Sequence, residues 1–116
     1  MAASKNPRLR LMHMRDEIRN LEMELGGLNF ENYQDSYGLR RTTERAIQIV
    51  SEAARALPED LRRRYPEAPW ADILAIGNPL RHEYHQIDDK VLSETATRDL
   101  PKLQPVIELM LAELES

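Results

Sequence analysis

Six apolar side chains, Leu11, Met14, Ile18, Leu21, Leu25 and Leu28, fall at alternating intervals of three and four residues. On a helix of 3.6 residues per turn that spacing makes one continuous stripe, and no other regular backbone does so. A stripe of this length must be covered by another apolar surface. Leu39, Thr43, Ala46, Val50, Ala53 and Leu57 supply one, with Ile47, Ile49 and Ala54 widening it. The small residues in this second stripe let another helix come close. Pro7 suits the start of the first helix and Gly26-Gly27 its end. Phe30 to Ser36 reads as a connector, with Asp35 or Ser36 capping the second helix and Pro58 stopping it.

Pro58 opens a short turn through Leu61, and Arg62-Arg63-Arg64 follows. Three adjacent arginines point in different directions on a helix, either as a solvated end or as a phosphate-attracting rim. Tyr65-Pro66-Glu67-Ala68-Pro69 is a bend. Pro69 fits the first position of a helix carrying Trp70, Ile73, Leu74 and Ile76. Gly77 weakens that helix. Asn78-Pro79 then reads as a new start, with Asn78 as N-cap, so a kink is expected between two helical pieces. Asp88-Asp89 caps a short helix with Val91, Leu92 and Ala96. Asp99-Leu100-Pro101 opens the last, with Leu103, Ile107, Met110 and Leu114 on its buried side; Pro105 sits awkwardly, so regular helix is expected only from about there. No segment alternates as a strand would. The expected fold is all-α, an up-and-down bundle of four to five helices in a single domain, residues 1–116.

Composition narrows what such a bundle can do. There is no Cys, so disulfides and thiolate metal sites are excluded. No 18-residue apolar run exists to span a membrane. The opening MAASKNPRLR lacks the apolar core of a secretory signal, so a cytoplasmic location is expected. The net charge of −4 argues against a non-specific nucleic-acid coat, and aromatics at 5% argue against a base-stacking platform. Neither excludes RNA chemistry at a local basic site.

The chemistry-bearing residues concentrate in GNPLRHEYHQID, Gly77 to Asp88, which holds two of the three His. Unpaired N–H groups and a positive dipole end make a helix start hospitable to phosphate. Arg81 can hold a phosphate through two hydrogen bonds. His82 brings an imidazole, the side-chain type suited to moving protons at neutral pH. Asn78 lies four residues before His82, on the same helical face. Such a set would suit phosphodiester cleavage through an activated 2′-hydroxyl, which needs no metal. Two other readings stand beside it: a capped helix with a solvated polar face, and a metal site from His82, His85 and Asp89, whose spacing of three and four puts them on one face if the helix runs that far. The spacing is not that of the zinc proteases.

The order of segments resembles the HepT-like family of the HEPN superfamily. The resemblance runs through FENYQDS, ERAIQIVSEAARALPEDLRRRYPEAPWADILAIGN, LRHEYHQID and RDLPKLQPVIELM. It implies a helical homodimer with a cleft at the dimer interface, no cofactor, and metal-independent RNA endonucleolysis. It further implies a toxin encoded beside a MntA-type nucleotidyltransferase antitoxin. His82 matches the family's general acid/base, Tyr84 the residue that receives AMP from the partner, and Asn78 the polar residue after the motif Arg. That Arg position is Gly77 here. Arg81 is the nearest substitute in sequence, and Arg45 and Glu52 match polar positions facing the cleft. Without the motif Arg, the alternative is a catalytically inactive helical dimer that binds the nucleotidyltransferase. If only the Arg is missing, Gly77→Arg is expected to raise ribonuclease activity.

Overall fold

The apolar stripes become helices, and the polar residues before them become caps. In the computed structural model, which describes residues 6–82 and 87–115 and gives only the backbone of Arg81 and His82, α1 spans Pro7–Leu25. The Asn6 side chain caps it by accepting from the Leu9 N–H, and Pro7 needs no amide partner at the first position. Leu11, Met14, Ile18 and Leu21 are buried as the stripe requires. Leu28 is not part of it: the helix ends at Leu25, and Leu28 is exposed beyond Gly27, whose positive φ of 81° turns the chain away.

The expected connector is itself helical. Asn29 accepts from the Asn32 N–H and starts α2, Phe30–Asp35, which buries Tyr33. Ser36 then caps α3, Tyr37–Ala56, through the Leu39 N–H. Thr43, Ala46, Ile47, Val50, Ala53 and Ala54 are buried on α3. The alanines let α1 lie close along it, and this pair forms the most extensive interface in the fold.

A short α4, Glu59–Arg63, leads into the Tyr65–Pro69 bend. The bend is tied down at both ends. The Trp70 indole N–H donates to the Tyr65 carbonyl at 2.8 Å, while the Tyr65 hydroxyl and the Arg64 guanidinium both donate to Glu113. Arg63 pairs with Glu59 at 2.9 Å. Two of the three adjacent arginines are thus neutralised by carboxylates, which favours a solvated helix end over a phosphate rim.

Helix α5, Trp70–Ala75, and α6, Gly77–His82, are separated by Ile76 alone. The expected division into two helical pieces is there, with one correction: α6 begins at Gly77, so Asn78 lies inside it rather than capping it. Asp88 caps α7, Asp89–Glu94.

The chain then continues without a break through a π-helical turn, Thr95–Asp99, into α8, Leu100–Glu115. Sequence reading expects a break at Asp99 and a late start near Pro105. The π turn supplies the reason there is none. A Pro ring at 101 would meet the carbonyl of residue 97 in a regular α-helix, and widening the preceding turn relieves that contact. The Leu100 N–H accordingly reaches back five residues to the Thr95 carbonyl. Pro105 is exposed within α8 and forfeits one hydrogen bond there. Leu100, Leu103, Ile107 and Met110 close the core against α1. The architecture is all-α, and among the described residues no helix is long and apolar enough to cross a membrane.

Candidate active site

Helix α6 carries the first six residues of the Gly77-to-Asp88 motif, and α3 is the surface it lies on. The contact is closest at Gly77, which is buried. A Cβ built on Gly77 would stand 2.4 Å from the Ser51 Oγ and 3.2 Å from the Ser51 Cβ. The glycine is therefore a packing requirement: the missing side chain is what lets the two helices approach. Ser51 is fully buried, and its hydroxyl finds no hydrogen-bond partner among the described residues.

The same point places a cation. The Arg55 Nη2 lies 4.0 Å from the position of that hypothetical Cβ and donates to the Leu74 carbonyl at 2.9 Å. This bond satisfies one of the carbonyls left open where α5 ends. Arg55 is otherwise exposed. Farther along α3, Gln48 Nε2 donates to the Glu52 carboxylate at 3.3 Å, and Arg45 is exposed. Arg45, Gln48, Glu52 and Arg55, at intervals of three, four and three, share one side of the helix.

The chain leaves Gly77 near Ser51 and re-enters the described structure beside the start of α3. There Asp89 and Glu44 lie within electrostatic reach of Tyr33. Burial pushes the Tyr33 hydroxyl up to about 12, and the two carboxylates push the same way. Tyr33 therefore stays protonated at neutral pH and is not a proton acceptor.

The residues singled out in sequence fall unevenly on this frame. Asn78 is exposed at the second position of α6. Arg81 and His82 are its last two residues, and their side chains lie outside the description, as do Tyr84 and His85 entirely. Arg45 and Glu52 sit on the α3 side just described. Asp89 opens a separate helix behind the extended Asp88, so the one helix face that the metal reading requires does not run from His82 to Asp89; His85 lies outside the described residues. Among the described residues no cluster of three His, Cys, Asp or Glu is placed to hold a metal. Sequence reading missed Ser51 and Arg55. Arg55 was within reach, since it lies three residues after Glu52 and so on the same side. That this side meets Gly77 is a tertiary fact.

Gly77→Arg also reads differently. The new side chain would start inside Ser51, so the single substitution strains the α3–α6 contact instead of simply refilling a vacant cleft.

Comparison with known proteins identifies relatives of the chain. Residues 14–110 match the family model described as "Ribonuclease HepT-like". A "Putative RNase" of Caldanaerobacter subterraneus subsp. tengcongensis is 29% identical over 107 residues, covering 92% of this chain and 96% of that protein. A "Probable ribonuclease HepT" of Thermococcus cleftensis is 37% identical over 60 residues, 52% of this chain and 54% of that protein. A "Putative RNase" of Methanocaldococcus jannaschii is 24% identical over 100 residues, 86% of this chain and 84% of that protein. No solved structure matches the chain. The matched span takes in the α1–α3 pair, the α3–α6 contact and the His82-to-Tyr84 segment, and on that ground the chain belongs to the HepT-like ribonuclease family.

Proposed function

We propose that this protein is the ribonuclease toxin of a toxin–antitoxin pair: a metal-independent RNA endonuclease, silenced when a MntA-type nucleotidyltransferase transfers AMP onto Tyr84. The observation that supports the reading is the family match over residues 14–110, a span that includes His82 and Tyr84. His82 takes the proton from an RNA 2′-hydroxyl. The oxygen attacks the adjacent phosphorus, the bond to the 5′-oxygen breaks, and that oxygen leaves with a proton. The nucleophile belongs to the substrate, so the step calls for no metal-bound water. Asn78 and Arg81 assist at the phosphate, and Arg45 and Glu52 face the cleft formed by two copies of the chain. AMP on Tyr84, two residues from His82, fills that cleft.

The chemistry predicts its own products. Cleaved RNA should carry 2′,3′-cyclic phosphate and 5′-hydroxyl ends; 3′-hydroxyl ends would contradict attack by the 2′-oxygen. Light scattering should give twice the 13.5 kDa chain mass. AMP transfer by a cognate nucleotidyltransferase should vanish in Tyr84→Phe. Undiminished labelling there would move the modification elsewhere, with Tyr37, 66% exposed, the first residue to check.

One observation favours a second reading, a catalytically inactive dimer that binds the nucleotidyltransferase. Position 77 is buried against Ser51 and can present no guanidinium. A protein that binds the partner and leaves RNA intact would establish it.

A further inference from the structure

The motif lacks a cation at Gly77, yet a cation stands beside that residue. We infer that Arg55, reaching across from α3, is the phosphate-binding guanidinium of the cleft. This rests on the ribonuclease reading above and goes beyond it by locating the charge on a different helix. Three observations support it.

The first is position. The Arg55 Nη2 is 4.0 Å from where a side chain on residue 77 would begin, at the first turn of the helix that ends in His82. The second is orientation. One N–H is fixed on the Leu74 carbonyl at 2.9 Å. A guanidinium has five N–H donors in a rigid fork, so fixing one aims the others. The residue is exposed, so the remaining donors are accessible. The third is charge. Arg8, Arg15, Arg19, Arg41, Arg63 and Arg64 each lie within 4 Å of a carboxylate. Arg55, like Arg40, Arg45, Arg62 and Arg98, is in no ion pair among the described residues; what sets it apart is the neutral carbonyl that holds it beside Gly77. Gly77 and Ser51 complete the arrangement, because only with both side chains small does α6 come within reach of an arginine rooted in α3.

The test compares the parent with Arg55→Gln, Arg55→Lys, His82→Ala and Arg19→Gln, the last removing a remote, ion-paired arginine. Single-turnover cleavage of a folded RNA is measured in EDTA. Binding of the same RNA is measured against salt in the His82→Ala background, where the RNA survives. Arg55→Gln should cleave about 10²–10³-fold more slowly, the loss expected for one donor at the reacting phosphate. Arg55→Lys should recover part of that, and Arg19→Gln should stay near the parent. The slope of log affinity against log salt should fall by about one with Arg55→Gln and stay unchanged with Arg19→Gln. Loss of the bond to Leu74 alone would lower the melting temperature without moving the slope, which separates a structural role from phosphate contact.

If the parent cleaves, His82→Ala does not, and Arg55→Gln matches the parent in rate and slope, Arg55 is not the phosphate ligand and the ribonuclease reading stands. If the parent fails to cleave but the slope still falls with Arg55→Gln, the phosphate contact stands and catalysis is lost. RNA neither cleaved nor bound overturns both.

Discussion

Two polar regions of this bundle are built in opposite ways. In the bend between α4 and α5 and the helix end before it, most polar side chains are closed on one another: Trp70 on the Tyr65 carbonyl, Tyr65 and Arg64 on Glu113, and Arg63 on Glu59, with the Arg62 Nε buried and without a hydrogen-bond partner among the described residues. In the contact between α3 and α6 the pairing is incomplete. Among the described residues, the Ser51 hydroxyl is buried without a partner and a single carbonyl meets the five donors of Arg55. Both regions are rich in arginine. Of Arg62-Arg63-Arg64, Arg63 and Arg64 are already paired with carboxylates and have little left for a phosphate. Charge marks a site only where the fold leaves it unspent.

The sharpest way to break this comparison is to crowd the incomplete side. Gly77→Ala should cost about 1–3 kcal/mol of stability, the usual penalty for inserting a methyl where none fits. That outweighs the roughly 1 kcal/mol an alanine gains over glycine in a helix. Ser51→Gly should return part of the loss, so the two substitutions should be non-additive in thermal unfolding. Additive effects would mean that Gly77 and Ser51 do not meet. By the same contact, Gly77→Arg alone should lower stability without raising activity.

That outcome separates what the sequence could and could not reveal. The α1 and α3 helices were legible because an apolar period of 3.6 survives any reading of their surroundings. The short α2 was missed because FENYQD has almost no apolar period, although Asn29 is an ordinary cap. The unbroken run from Asp89 to Glu115 was hidden by Pro101 and Pro105, whose backbone cost the π turn absorbs locally. At the site, the register of Arg45, Glu52 and Arg55 could be counted. The meeting of Ser51 with Gly77 could not, since it depends on how α6 folds back. Reading Gly77 as a lost arginine was sound as a comparison of motifs, but incomplete as physics: the position also lost the space for one.

The closed region should behave as architecture. Trp70→Phe keeps the ring and removes the indole donor, leaving the Tyr65 carbonyl unpaired. It should cost about 1 kcal/mol. RNA cleavage at a temperature where the variant is folded should not change. A selective loss of cleavage would draw the bend into the site.

The smallest effect lies at Glu113. Hydrogen bonding from Tyr65, then from Arg64, holds its carboxyl below the usual range. A lowered folded-state value means that the stabilisation is complete above the ordinary carboxylate pKa and is lost as pH falls through the depressed one. The melting difference between the parent and Glu113→Gln should be small and constant from neutrality to about pH 5, then shrink as the pH falls. A difference that grew toward acid would reverse the assigned sign.

The most direct measurement is cleavage of a folded RNA by the purified protein, with Tyr84 unmodified, in EDTA beside His82→Ala. The account predicts cleavage by the parent and none by the variant. Intact RNA in both, from folded protein of twice the chain mass, would contradict it and leave a dimer that keeps its family's shape without its chemistry.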